Sequence, residues 1–296
     1  MSEQIYDRVK SNSQPKKKSE FLRVMKQLSY NKGAMIGLTI FVLELILVLA
    51  APLIAPYDYT AMDPATIRQT PSAAHWFGCD ELGRDILSRI LYGGRFSITM
   101  GMFSVLISAT FATVIGSIAG FFGGQVDNII MRILDVIQSL PAMLLTIVLS
   151  AVLGAGYFNT ILALAVNGIP GQARMLRAQM MKNRGAEYVE ASQSINCSKL
   201  RIIAVHLFPN SFSPLIVQMT MGVANMILMA SSLSFIGLGV QPPQPEWGAM
   251  LSSARQYIRT APHMVIFPGL AIAITILALN LLGDGLRDAL DPKLKK

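Results

Sequence analysis

The chain is 296 residues long, 52% hydrophobic and 14% charged, with a mean hydropathy of +0.48. Soluble domains carry roughly 25% charged residues, so this composition excludes an ordinary soluble domain and indicates an integral membrane protein. The net charge of +8 could suggest a nucleic-acid partner, but basic residues that orient helices and meet anionic lipid account for it, and no nucleic acid is expected.

Residues 1–33 form a basic amino-terminal segment with Arg8, Lys10, Lys16, Lys17, Lys18, Arg23, Lys26 and Lys32. The apolar run 34–56 is too long for the core of a cleavable signal and lacks a small-residue cleavage pattern, so it is expected to persist as the first transmembrane helix. Glu44 is its ionisable member; such a group near the bilayer middle is costly. Packing on a neighbouring helix through a protonated or hydrogen-bonded carboxyl is favoured there over substrate contact.

Residues 57–95 form an extracellular loop. Within it Ile86, Leu87, Ile90 and Leu91 recur at helical spacing beside Arg84, Asp85 and Arg89, which predicts a short amphipathic helix at the outer surface. Residues 96–284 form the transmembrane core, with spans expected near 96–122, 128–153, 158–181, 211–233 and 264–284. Each reaches the roughly 20 apolar residues that a spanning helix needs. The runs are continuously apolar, whereas strands of a membrane barrel would alternate. The fold class is therefore all-α and polytopic, with six transmembrane helices.

Gly154, Gly156 and Asn159 mark the turn between the third and fourth spans. Met100, Gly101, Gly116 and Gly120 predict close helix contacts through small residues in the second. Asp127, Arg132 and Asp135 have the spacing of a local ion-pair group on the third helix. The methionines of the fifth, Met219, Met221, Met226 and Met229, share no single face and are read as core filler rather than a soft-metal path. After it, a Gly- and Pro-rich stretch leads to Trp247 at expected interface depth, a pattern suited to a re-entrant broken helix packed against protein.

Between spans four and five, residues 182–210 carry the polar stretch EYVEASQSINCSKLRIIAVHLFPN. Glu187, Glu190, Lys199 and Arg201 interrupt Tyr188, Val189, Ala191, Ile195 and Leu200, giving a short two-faced helix that Asn196 would close in the left-handed conformation. Spacing alone leaves two readings open: a connector resting on the membrane surface, or a docking helix for a cytoplasmic partner. His206 is expected to serve as a hydrogen-bonded structural residue next to Pro209. The tail, 285–296, adds Arg287, Lys293, Lys295 and Lys296. With the amino-terminal segment and the 182–210 loop it forms one basic side, so both termini are predicted to be cytoplasmic. Cys79 and Cys197 then lie on opposite sides and cannot pair, and His75, His206 and His263 are too dispersed for a metal site.

Glu190, Ala191 and Ser192, followed by Asn196, Leu207 and Pro209, resemble the coupling motif of ABC importer permeases, in which Glu-Ala-Ala precedes a Gly and a hydrophobic-x-Pro ending. Ser192 and Asn196 depart from it, both by small or turn-tolerant residues. The blocks FGCDELGRDILSRILYGGR, LGAGYFN, LSFIGLGVQPPQPEWGAML and NLLGDGLRDALDP resemble the C-type permease subunit of the dipeptide, oligopeptide and nickel importer family, with Cys79 at a usual Thr and Ala230 at a frequent Glu.

The resemblance implies a transport subunit in a bacterial or archaeal plasma membrane, paired with a second, B-type permease. Two cytoplasmic ATPase subunits would bind ATP and Mg, and an extracellular binding protein would deliver substrate. This chain has no phosphate-binding loop of the G-x-x-x-x-G-K-[ST] type and is expected to hold no cofactor or metal and to be no enzyme. The residues implied in ATPase coupling are Glu187, Tyr188, Glu190, Ala191, Ser192, Asn196, Arg201, Leu207 and Pro209. Di- or oligopeptides are the expected substrate, with nickel or a metal chelate as the alternative and no substrate-binding residues assignable. An ion-coupled secondary transporter is the alternative of another class; it would show internal repeats and midplane coupling groups.

Overall fold

A computed structural model describes residues 20–290. The expected basic arm from Arg8 to Lys18, and Lys293, Lys295 and Lys296 of the tail, lie outside the described residues. Helix α1 (Glu20–Tyr30) leads into α2 (Lys32–Leu49), where the Asn31 side chain accepts from the Ala34 amide and so caps the helix. Helix α2 turns Ile36, Leu43, Ile46 and Leu47 outward, as a lipid-facing helix must, and its Glu44 accepts a hydrogen bond from Thr275. That is the expected packing role.

Helix α3 (Ile86–Phe122) is 37 residues long and starts at the Asp85 cap. The separate amphipathic helix expected in the 57–95 loop is instead the first turns of this span. Gly93 and Gly94 do not interrupt it: a β-carbon would lie 1.9 Å from the Pro245 carbonyl oxygen at Gly93, and 2.4 Å from Val48 at Gly94. They are sites of close approach rather than turns.

The expected third span at 128–153 is a bent pair, α4 (Gly124–Gln138) and α5 (Ala142–Leu153), joined at 84°. Pro141, at the start of α5, disfavours helical geometry in the residue before it, which breaks the run. Helix α6 (Tyr157–Arg184) runs along α3. A β-carbon at Gly116 would sit 2.6 Å from the Ala173 carbonyl oxygen, and one at Gly120 2.5 Å from the Met180 β-carbon, so the expected small-residue interface is present. After α7 (Glu187–Ser194), short helical turns lead to α8 (Ser213–Phe235). Helix α9 (Trp247–Ala254) and α10 (His263–Leu290) complete the described chain.

Among the described residues there is no strand, and four helices, α2, α3, α8 and α10, are long and apolar enough to cross a membrane; the bent pair brings this to five. Helix α6 is 28 residues long, but its second half carries Arg174, Arg177, Lys182 and Arg184, which lowers its apolarity.

At one end of the bundle, Val48, Ile86, Ile98, Trp247, Met250 and Met264 form a common core. Trp247 is 1% exposed and its indole donates to the Ile90 carbonyl at 3.0 Å; it anchors α9 to α3. Helix α9 packs against protein, and buried Glu246 caps it by accepting from the Gly248 and Ala249 amides. The neighbouring loop is fixed by Arg84, which pairs with Asp80 at 2.6 Å and Glu81 at 3.0 Å. Burial there pushes the Cys79 thiol pKa up.

Candidate functional site

At the end where α3 and α6 terminate, Phe121, Leu176, Met180, Val189, Ile202 and Leu207 form a second core. It unites both long helices with the 187–210 loop, because the loop's few large apolar residues converge on one side. Val189 and Leu207 are fully buried, and Ser192 turns inward with its hydroxyl donating to the Tyr188 carbonyl at 2.7 Å. Glu187, Glu190, Ala191, Asn196, Arg201 and Pro209 face outward, as does Tyr188 at 39% exposure. Among the described residues neither glutamate enters an ion pair.

Asn196 has φ +58°, the left-handed conformation expected of it. Its amide donates to the Gln193 carbonyl at 2.9 Å, and the Cys197 amide to Ser192 at 3.1 Å. These two bonds form the Schellman closure of α7 and satisfy carbonyls that a helix end otherwise leaves open. Ser198 then caps the next turn, Lys199–Arg201, and Ile202–Leu207 is wound as a π-helix. Pro209 lacks an amide proton, so the regular α-helical bond is lost close to this rewound stretch.

The base of the loop is tied shut. Asn183 donates to Ser211 at 2.9 Å, and the Lys199 ammonium lies 5.6 Å from the Phe122 ring centroid. At His206 the bonded group is the backbone carbonyl, which accepts from the Asn210 side chain at 2.7 Å. The acidic residues of α4 pair across helices rather than locally: Asp127 takes both guanidinium arms of Arg177, and Asp135 accepts from Arg174 at 2.7 Å. Arg132 takes no part in these pairs. The local reading of their spacing is thus corrected, because the stretch of α6 beside α4 carries the complementary charge. Mechanically, α4, α6 and α7 are linked, and an outward stripe of Glu187, Tyr188 and Glu190 is presented on a packed support. Such a stripe can dock a partner and pass its displacement to the bundle.

A cavity of about 780 Å³ lies between α6, α8 and the α4–α5 bend. Met221, Met226 and Met229 line it beside Gln218 and Asn225 on one face of α8, so these methionines do share a face, and only Met219 departs from it. From α6 come Asn167 and Gln172. Sequence reading passed over the amides because attention to ionised residues treats Gln and Asn as part of an apolar run. The usable signal is the seven-residue spacing of Gln218 and Asn225, which puts them two turns apart on one face of α8.

Residues 112–296 match the family described as "Binding-protein-dependent transport system inner membrane component", and residues 19–71 match "N-terminal TM domain of oligopeptide transport permease C". The dipeptide transport system permease protein DppC of Alkalihalophilus pseudofirmus is 43% identical over 277 residues, which is 94% of this chain and 91% of that protein. The glutathione transport system permease protein GsiD of Pectobacterium atrosepticum is 47% identical over 258 residues, 86% of each chain. A solved structure of the MetNI methionine ABC transporter, in an inward-facing conformation, aligns with a TM-score of 0.56 at 16% identity, covering 70% of this chain and 98% of that one. That likeness is one of fold.

Proposed function

The chain belongs to the binding-protein-dependent inner-membrane transport component family, and from that premise we propose that it forms half of the pathway of an ATP-driven importer of dipeptides and short oligopeptides. It is a transport subunit and not an enzyme. The peptide assignment draws on relatives named for dipeptides, di/tripeptides and glutathione. A second, B-type permease completes the pathway, two ATPase subunits bind ATP and Mg, and an extracellular binding protein delivers the peptide.

The observation that carries the coupling role is α7, closed at Asn196, seated on the core of α3 and α6, and presenting Glu187, Tyr188 and Glu190 outward. Ala191, Asn196, Arg201 and Pro209 extend that outer surface, while Ser192 and Leu207 hold it from within. Closure of the ATPase pair moves α7 as a rigid body and tilts the attached helices between inward- and outward-open packings. In the bacterial plasma membrane α2, α3, α4–α5, α6, α8 and α10 serve as six spans, with both termini and residues 182–210 cytoplasmic, 57–95 extracellular and 285–296 a cytoplasmic tail. The basic residues of the tail and the 182–210 loop support that orientation.

The test is uptake by proteoliposomes holding both permeases and both ATPases, with binding protein outside and labelled alanyl-alanine or nickel as probe. ATP-dependent peptide uptake is expected. Uptake of nickel alone would replace the substrate, and peptide uptake driven by an ion gradient without the ATPases would remove the pump assignment.

A further inference from the structure

Helix α8 has two unlike faces. One lines the cavity of about 780 Å³ with Gln218, Met221, Asn225 and Met229. The other lines a cleft of about 500 Å³ toward α2, α3 and α10, where Ile216 and Val223 sit with Phe41, Leu106 and Leu279, and Thr99 and Thr220 are the only polar side chains of the described lining. Asn225 stands near the middle of α8, a 23-residue helix apolar enough to cross a membrane, and it is exposed. An unpartnered amide is costly in hydrocarbon, so an exposed one at mid-span marks the face that lipid does not cover.

The α4–α5 bend points to the same side. Its 84° turn between Gln138 and Ala142 interrupts helical bonding, and irregular backbone at membrane depth is tolerated where it lines a water-filled cavity or is packed in protein. Here Ser139 and Leu140 are exposed, and a hollow of about 440 Å³ over residues 137–142 shares Gln138, Ala142 and Asn167 with the larger cavity. Asn167 of α6 is half-buried and donates to the Met229 thioether at 3.5 Å, a weak acceptor.

We propose that the face of α8 carrying Gln218 and Asn225 lines, with the α4–α5 bend, the aqueous passage of the importer, and that Asn225 contacts the moving peptide. A primary amide both donates and accepts, so it serves carboxylate, ammonium and main-chain groups alike. The unbranched thioethers of Met221 and Met229 beside it adapt to side chains of different shape. The inference rests on the peptide-importer reading above and names this chain's wall of the pathway.

The experiment places single cysteines in a Cys79→Ser, Cys197→Ser background of the complete complex, purified without nucleotide. A trimethylammonium methanethiosulfonate should modify Asn225→Cys at least roughly tenfold faster than Val223→Cys, two residues away on the apolar cleft, because the thiolate is the reacting species and forms readily only in water. After reconstitution with binding protein outside, modified Asn225→Cys should lose uptake of labelled alanyl-alanine and regain it when dithiothreitol strips the adduct. Modified Val223→Cys should keep its uptake. Asn225→Leu should slow peptide uptake several-fold, and Asn225→Gln, which keeps the amide, should retain most of it. If Asn225→Cys fails to assemble, Met229→Cys, one turn along the same face, carries the same labelling expectation.

Equally slow modification at both positions overturns the proposal and assigns Asn225 to packing against the second permease. Fast modification that leaves uptake unchanged also overturns it, as does full peptide uptake by Asn225→Leu. A wild-type complex that moves nickel but no peptide would remove the peptide reading itself, while block of that nickel uptake by the same adduct would still support the passage, so the two failures are distinct.

Discussion

Replacing Asn196 by Val tests whether a closed, rigid α7 is what transmits ATPase motion. At φ +58° a β-branched side chain crowds the following carbonyl, at a cost of about 1–2 kcal/mol for an L-residue in the left-handed region. Two backbone bonds hold the closure, Asn196 to Gln193 at 2.9 Å and Cys197 to Ser192 at 3.1 Å, each contributing about 1 kcal/mol net. The strain therefore offsets most of what keeps α7 closed, and a substantial fraction of molecules would present a frayed end. Peptide-stimulated ATP hydrolysis by the reconstituted complex should fall several-fold, with membrane insertion and unstimulated hydrolysis intact. Asn196→Gly, which takes the left-handed conformation freely, should behave as the wild type. Full stimulation in Asn196→Val would refute the rigid-closure argument, since the strained residue would then be without consequence for coupling.

Gly120→Leu should lower the thermal midpoint of the purified complex, because even its β-carbon would sit 2.5 Å from that of Met180 and overpacking costs about 1–3 kcal/mol; an unchanged midpoint would contradict the close α3–α6 contact. Asp127→Ala and Arg177→Ala, combined in a double-mutant cycle on stability, should show a coupling of about 1 kcal/mol or more, and additive effects would dissolve the α4–α6 link. Cys79 is buried with a raised thiol pKa and should resist a membrane-impermeant thiol reagent, so topology is better read from exposed Ala73. Ala73→Cys in a Cys79→Ser, Cys197→Ser background should label from the outside of intact cells, and labelling only after permeabilisation would reverse the orientation.

Much of this fold is legible in the sequence because lipid imposes long apolar runs, and the positions of Gly154 and Gly156 divide two of them correctly. The closure at Asn196 was equally legible, since a helix end before a basic turn narrows the residues that suit the left-handed conformation. The errors share a physical cause: local patterns do not state what a residue approaches. The short surface helix expected around Ile86, Leu87, Ile90 and Leu91 is the start of α3, because Gly93 and Gly94 admit Pro245 and Val48 and the helix continues. Asp127 and Asp135 invited local pairing with Arg132, whereas α6 brings Arg177 and Arg174 to them. Gln172 and Gln218 escaped notice because an uncharged amide barely disturbs hydropathy, and only their convergence on one cavity marks them.

The central claim is that ATP drives peptide through this chain by way of α7, and Glu190→Lys tests it most directly. Uptake of labelled alanyl-alanine by the full proteoliposome system should require ATP and the ATPase subunits in the wild type. In Glu190→Lys both uptake and peptide-stimulated hydrolysis should collapse together, with the permease still inserted and the binding protein still loading peptide. Wild-type uptake without the ATPases, or undiminished uptake and hydrolysis in Glu190→Lys, would contradict the account.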